Sequence, residues 1–276
     1  MSTKSQKQAL NVVEDAARQA GDLMRKNLRL TKRVNFAEQY DIKLELDVRC
    51  QKLIEKRLRS AFPDIAILGE EGTVGDPLAT DRFVVDPIDG TVNFTYGIPH
   101  ACVSIALQHK SALKTKSDHP DAPFETVVGV VYDPFTDEMF SAIRGEPAKL
   151  NGKPIRASTR TRLDESIISI GFAKSTASLA TMLPQFNELV HKVRKIRMMG
   201  AAALAMVYVA AGRFDAYIEG GIRLWDIAAG GLILECAGGE FWNEPIDGDH
   251  TYRIIANNGR LRPKLQKIGA NKIQRQ

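Results

Sequence analysis

Residues 86–94 read Asp86-Pro87-Ile88-Asp89-Gly90-Thr91-Val92-Asn93-Phe94, directly after the short apolar run 83–85. Asp86 and Asp89 are potential hard oxygen ligands three positions apart, while Pro87 restricts the backbone and Gly90 permits its close approach to another group. A strand has a side-chain period of two, so an extended segment would send the two carboxylates to opposite faces. A turn instead gathers them and aims the Ile88 carbonyl inward, and this is the conformation expected here. If Thr91 opens a helical turn, the amides of Gly90 and Thr91 are free to receive phosphate oxygens.

Further acidic residues occur at similar boundaries. The run 65–68 reads as a strand that delivers Glu70 and Glu71 at its end, and Asp226 opens a segment with helical character. Two carboxylates about 4 Å apart repel by roughly 4 kcal/mol at an effective dielectric of 20, so a cluster of them needs cations, protons or intervening solvent. A divalent metal is the simplest solution if the fold gathers these residues. Structural roles compete at each position: Asp47 and Asp226 can cap helices, Thr91 can cap a turn, Ile88 can be turn packing, and Gly200-Ala201-Ala202 can be a tight strand-to-helix joint.

Around this centre the chain alternates strands and helices. Ala9, Val12, Val13, Ala16, Ala20 and Leu23 recur at helical spacing, so residues 6–28 form an amphipathic helix. Residues 31–40 read as a loop and 46–62 as a second helix that Pro63 stops. Strands are expected at 101–108, 126–132, 138–143, 167–170 and 214–218, with helices at 177–193, 201–211 and 226–236. Pro184 leaves the continuity of the first of these helices open, Asn151-Gly152 marks a turn, and 110–125 reads as a solvent-facing hairpin insertion. The order favours a layered α/β to α+β fold with two intimately packed halves, divided here as 1–145 and 146–276.

Composition narrows the class. With 276 residues, 44% apolar and 26% charged, the chain has the balance of a folded soluble protein. The longest apolar run, 201–211, is too short for a membrane span, which takes roughly 18 residues or more, and no signal-peptide pattern opens the chain. A cytoplasmic protein without membrane attachment is therefore expected. Cys50, Cys102 and Cys236 form no CxxC pair and read as buried thiols, and the five histidines lack zinc-like spacing. The formal charge of +5 includes basic residues near the C-terminus, such as Lys272 and Arg275, and reads as a solvated surface more readily than as a nucleic-acid site.

Taken in order, Gly69-Glu70-Glu71-Gly72, the 86–94 segment and Trp225-Asp226-Ile227-Ala228-Ala229-Gly230-Gly231 resemble the inositol monophosphatase family, within the lithium-sensitive, magnesium-dependent phosphatases. The resemblance implies a five-layer α-β-α-β-α sandwich, commonly a homodimer. It also implies Mg²⁺-dependent hydrolysis of a phosphate monoester, most closely myo-inositol monophosphate or a related polyol phosphate, by a metal-activated water. Two or three Mg²⁺ would be held by Glu70, Asp86, the Ile88 carbonyl, Asp89 and Asp226. Asp47 and Thr91, with Glu70, would organise the nucleophilic water, although Leu44 stands where the family has threonine. Gly90, Thr91, Gly200, Ala201, Ala202, Glu219 and Asp226 would border the substrate. Alternative readings are a sugar-phosphate or 3′-phosphoadenosine 5′-phosphate phosphatase, and a weakly catalytic protein that associates with RNA or a transcription complex.

Overall fold

A computed structural model describes residues 3–31, 34–37, 42–111, 119–173, 175–246 and 250–268. In chain order the elements begin with α1 (Thr3–Asn27), β1 (Val34–Ala37), β2 (Ile42–Leu44), α2 (Glu45–Ala61), β3 (Ala66–Gly69), β4 (Gly72–Val74), β5 (Asp81–Asp89) and α3 (Thr91–Thr95). There follow β6 (Cys102–Lys110), β7 (Phe124–Asp133), β8 (Glu138–Ile143), β9 (Lys149–Leu150), β10 (Lys153–Pro154) and a 3-10 turn at Leu163–Glu165. The second half comprises β11 (Ile167–Ile170), α4 (Thr176–Val190), β12 (Lys195–Arg197), α5 (Ala202–Ala210), β13 (Ala216–Arg223), α6 (Leu224–Cys236), β14 (Glu240–Pro245), β15 (Thr251–Asn257) and α7 (Arg262–Leu265).

The strands form an eight-stranded sheet in the order β10-β9-β8-β7-β6-β5-β3-β4 and a five-stranded sheet in the order β12-β11-β13-β15-β14. On α1, Ala9, Val13, Ala16, Ala20 and Met24 are fully buried at helical intervals, and this stripe packs with α2 on the outer face of the first sheet. Helices α5 and α6 are apolar around most of their circumference and lie between the two sheets. Helices α4 and α7 cover the far side of the second sheet, where Met182, Leu189 and Leu265 meet Ile168, Ile170 and Ile218. The result is the anticipated α-β-α-β-α layering. Each fully buried aliphatic or aromatic side chain contributes about 1.5–3 kcal/mol to holding it.

Close approach in the middle layer depends on the small residues of α6. A Cβ at Gly231 would come within 2.6 Å of the Phe241 ring on β14, and one at Gly129 on β7 within 2.8 Å of the Ala229 carbonyl. Ala228-Ala229-Gly230-Gly231 thus lets one helix pass between two sheets, and its N-terminus reaches the edge where β5 ends.

Several local expectations change or are extended. Residues 86–89 do not leave the sheet as a turn; β5 continues to Asp89 and takes a β-bulge, with Asp86 opposite Ser104 and Asp89 opposite Cys102. Three steps on β5 match two on β6, and the extra residue cancels the alternation that would have separated the carboxylates. The segment 31–40, read as a loop, contains β1, which pairs with β2; residues 32–33 and 38–40 lie outside the described residues. The insertion 110–125 is solvent-facing only in part of what is described. Asp121 is 7% exposed, because it neutralises a buried arginine; residues 112–118 lie outside the description, as do Lys272 and Arg275. Pro184 sits inside a continuous α4, and β13 runs on past residue 218 to include Glu219.

Candidate active site

Parallel pairing of β3 with β5 sets Gly69 beside Val85, so both strands end at one edge. The Glu70 amide donates to the Val85 carbonyl at 3.0 Å, which places Glu70 next to the Asp86–Asp89 bulge. Gln51 on α2 supports that corner, accepting from the Glu71 amide at 2.9 Å and donating to the Gly72 carbonyl at 3.0 Å. Asp226, in the first turn of α6, arrives from the far half of the chain.

One ligand oxygen from each of Asp86, Asp89 and Asp226 lies within 4.8 Å of the other two. It is the one such metal-competent trio of acidic, histidine or cysteine side chains among the described residues. Glu70 stands outside that tight trio but lines the same cleft, which has a volume of ≈ 720 Å³. Asp89, Gly200, Ala201, Ala202, Glu219 and Asp226 line it as well, whereas Asp47, Asp86, Ile88, Gly90 and Thr91 are not among its lining residues.

Each carboxylate is positioned by amide groups. Asp86 Oδ1 accepts from the Ile88 amide at 3.0 Å, and Asp226 Oδ2 from the Arg223 amide at 3.0 Å, capping its own helix. Asp89 accepts from the Ala202 amide at 3.1 Å and the Ala203 amide at 2.8 Å. Helix α5 follows Ala201, which has no capping side chain, so the carboxylate from β5 satisfies two of its exposed N–H groups. Capping leaves each carboxylate oxygen with further lone pairs, so it is compatible with metal ligation.

Burial pushes Asp86 and Asp226 well above the ordinary carboxylate range, and repulsion from Glu70 and from the other aspartates adds to it. Asp89 is pushed up to about 6 by burial, against the opposing pull of the α5 amides. Four acids converging in a cleft are stable together only when protons or cations share their charge. The donor set is all oxygen and therefore suits a hard divalent ion such as Mg²⁺. Cys102, 3.5 Å from Asp89 Oδ2, does not alter this, because burial pushes its thiol up and keeps it protonated.

The Thr91 hydroxyl donates to the Ile88 carbonyl at 2.8 Å, tying together two of the predicted site residues. Asp47 is buried and caps α2, accepting from the Leu44 amide at 2.7 Å. Helix α3 packs on β2, so the segments carrying Thr91 and Asp47 are neighbours. Gly90, with φ 91°, occupies the left-handed region, and a Cβ there would meet the His100 carbonyl at 3.0 Å and Ala201 Cβ at 3.2 Å. Its absence lets the 86–94 segment touch the start of α5.

Other contributors were missed. Asn93 Nδ2 donates to the His100 carbonyl at 2.9 Å and the Met199 carbonyl at 2.8 Å, holding the 199–202 rim against α3. The Ser104 hydroxyl donates to the Trp225 carbonyl at 3.0 Å. The Tyr217 hydroxyl donates to Glu219, and Gly171 leaves the space that the Glu219 carboxylate fills. Burial pushes Glu219 up to about 7, aided by the charge of Asp89 and opposed by the Tyr217 hydrogen bond. Tyr217 precedes Glu219 by two on β13, a spacing visible in sequence once that stretch is recognised as a strand.

Comparison with known proteins agrees with this arrangement. The profile of the inositol monophosphatase family matches residues 5–273. Inositol monophosphatase 1 of Solanum lycopersicum is 38% identical over 263 residues, covering 92% of this chain and 91% of that protein. Nus factor SuhB of Pseudomonas aeruginosa is 39% identical over 261 residues, covering 90% and 91%. Among solved structures, the extragenic suppressor protein suhB from Bartonella henselae superposes with a TM-score of 0.85 at 33% identity, covering 96% of this chain and 99% of that one. The Thermotoga maritima IMPase superposes at 0.81 with 28% identity, covering 97% and 98%.

Proposed function

The chain belongs to the inositol monophosphatase family, and from that premise we propose that it hydrolyses a polyol phosphate monoester, most closely myo-inositol monophosphate, to the alcohol and inorganic phosphate. The observation that carries the reading is the convergence of Asp86 with Asp89 and Asp226, the latter two lining a cleft that has Glu70 and Glu219 on its walls.

In this reading Glu70, Asp86, the Ile88 carbonyl, Asp89 and Asp226 hold two or three Mg²⁺. Bound there, the ions would offset phosphate charge and make a water nucleophilic at neutral pH. The chain's own groups set the geometry around them. The Thr91 hydroxyl donates its hydrogen bond to the Ile88 carbonyl, leaving its lone pairs to accept a hydrogen bond from the attacking water. Asp47 supports that water as a proton acceptor. The Gly90 and Thr91 amides would supply donors to phosphate oxygens. Glu219, oriented by Tyr217 and pushed up to about 7, can accept from or donate to the hydroxyls of a polyol leaving group. Gly200, Ala201 and Ala202 form the small-residue rim beside it. No side chain needs to become phosphorylated.

The test is phosphate release by the purified protein from myo-inositol 1-phosphate, a hexose phosphate and 3′-phosphoadenosine 5′-phosphate, with and without MgCl₂. Release that requires Mg²⁺, with the highest kcat/KM on the inositol ester, is expected. Absence of release across the panel, or a stoichiometric phosphoenzyme burst, would defeat the proposal.

A second reading is association with a transcription complex, and it is supported by relatives named Nus factor SuhB at 36–39% identity. Binding to such a complex that persists in an inactive Asp89→Asn protein would separate that role from catalysis.

A further inference from the structure

Between β6 and β7, the described end of the insertion is anchored in the interior through Asp121. Its carboxylate accepts from Arg82 Nη2 at 2.7 Å and from the Tyr252 hydroxyl at 2.6 Å. His250 Nδ1 lies 2.8 Å from both of its oxygens. Arg82 is fully buried on β5, four residues before Asp86, and its guanidinium stacks 3.7 Å from the centre of the Phe124 ring. Burial alone would raise Asp121, but the bonds from His250, Tyr252 and Arg82 outweigh it and hold the acid at about 2. The anchor is therefore charged throughout the range in which proteins are ordinarily folded.

His250 transmits this anchor towards the acidic centre. It adopts φ 56°, a left-handed conformation uncommon for histidine, which persists only where surrounding contacts enforce it. From there its carbonyl accepts from the amide of Leu224, the first residue of α6, at 2.9 Å. Its ring tilts against Trp225 with centroids 6.4 Å apart. Asp226 is the next residue, so the contacts that define the backbone path of His250 also define where the first turn of α6 begins.

We propose that Asp121 is a positioning residue for the carboxylate site: through His250 it fixes the first turn of α6 and thereby the placement of Asp226 relative to Asp86 and Asp89. The proposal deepens the phosphatase reading and rests on it. The competing role is local, with Asp121 doing no more than neutralising buried Arg82. The two roles differ in what His250 contributes. Neutralisation needs only Arg82 and Asp121, whereas positioning requires the imidazole that bridges Asp121 to α6.

The experiment compares full-length wild type, Asp121→Asn, His250→Asn and the double variant. It measures Mg²⁺ binding by calorimetry without substrate, the Mg²⁺ dependence of phosphate release, and urea unfolding in chelator. Asparagine tolerates the left-handed backbone at 250 and leaves the Arg82–Asp121 pair intact, so His250→Asn is informative even if Asp121→Asn folds poorly. Each single variant is expected to weaken Mg²⁺ about tenfold, as loss of a group supporting a metal ligand commonly does. The double variant is expected to match Asp121→Asn, and KM for the ester at saturating Mg²⁺ to stay near the wild-type value. A stable His250→Asn protein with wild-type Mg²⁺ affinity, or additive effects in the double variant, would overturn the proposal while leaving an active wild type intact. A wild type that neither binds Mg²⁺ nor releases phosphate would overturn the phosphatase reading, and this one with it.

Discussion

Replacing Glu219 by glutamine separates the cost of a functional carboxylate from its use. The acid is raised from its ordinary 4.5 to about 7, chiefly by burial. Between those two values the folded protein binds a proton that the unfolded chain has released, so stability falls as pH rises through the window and levels off above it. The rise corresponds to about 3 kcal/mol, which access of the half-buried carboxylate to water in the cleft reduces to about 2. Glutamine keeps an acceptor for the Tyr217 hydroxyl and carries no titratable proton. Urea unfolding in chelator should therefore show Glu219→Gln more stable than wild type by about 2 kcal/mol at pH 8, and within about 0.5 kcal/mol of it at pH 4.5. The aspartate trio imposes a slope of the same sign on both proteins, and the difference between them cancels it apart from the repulsion between Asp89 and Glu219, whose loss favours the variant in the same direction. If Glu219 also receives the leaving group, KM for inositol phosphate should rise in the variant with a smaller change in kcat. Parallel pH–stability curves for the two proteins would refute the assignment of a raised, buried acid at 219.

Two further substitutions probe the bulge. Asp89→Asn removes a charge that the metal-free fold holds at a disadvantage but also turns one of the two oxygens that accept from the Ala202 and Ala203 amides into a donor, so at pH 8 in chelator the two effects oppose and the variant should stay within about 1–2 kcal/mol of wild type. Phosphate release should nonetheless fall by at least about 100-fold, and the Mg²⁺-induced rise in Tm should vanish; a fully active variant would contradict the ligand role. Gly90→Ala must place a side chain at φ 91° within 3.0 Å of the His100 carbonyl, and should lower unfolding stability by about 1–3 kcal/mol. An alanine variant with unchanged Tm would show that this corner tolerates a Cβ.

The elements that formed as expected are those whose signal is local. The α1 stripe from Ala9 to Ala20, the strand expected at 101–108 and found at Cys102–Lys110, and the Asn151-Gly152 turn each follow from spacing over a few residues. At Asp86–Asp89 the local residues suit a turn as well as a bulge, because both conformations bring the carboxylates together, and only the pairing with Ser104 and Cys102 distinguishes them. Strand β1 was missed because four residues, Val-Asn-Phe-Ala, carry too little periodicity to stand out from a polar stretch. Asp121 was hidden in a segment of charges and prolines, since nothing local announces a partner as distant as Arg82 or His250.

From its residues alone the chain specified the identity of the acidic groups, their place at the ends of elements and the family to which those motifs belong, because each is a property of neighbouring residues. The tertiary structure decided which groups meet: Glu70 beside the bulge through parallel pairing, Asp89 on the amides of α5 across 113 positions, and Tyr217 on Glu219 in the space left by Gly171. Backbone preference acts over a few residues, whereas these contacts depend on how two sheets and the helices between them close over a shared core, and that closure is a property of the whole chain.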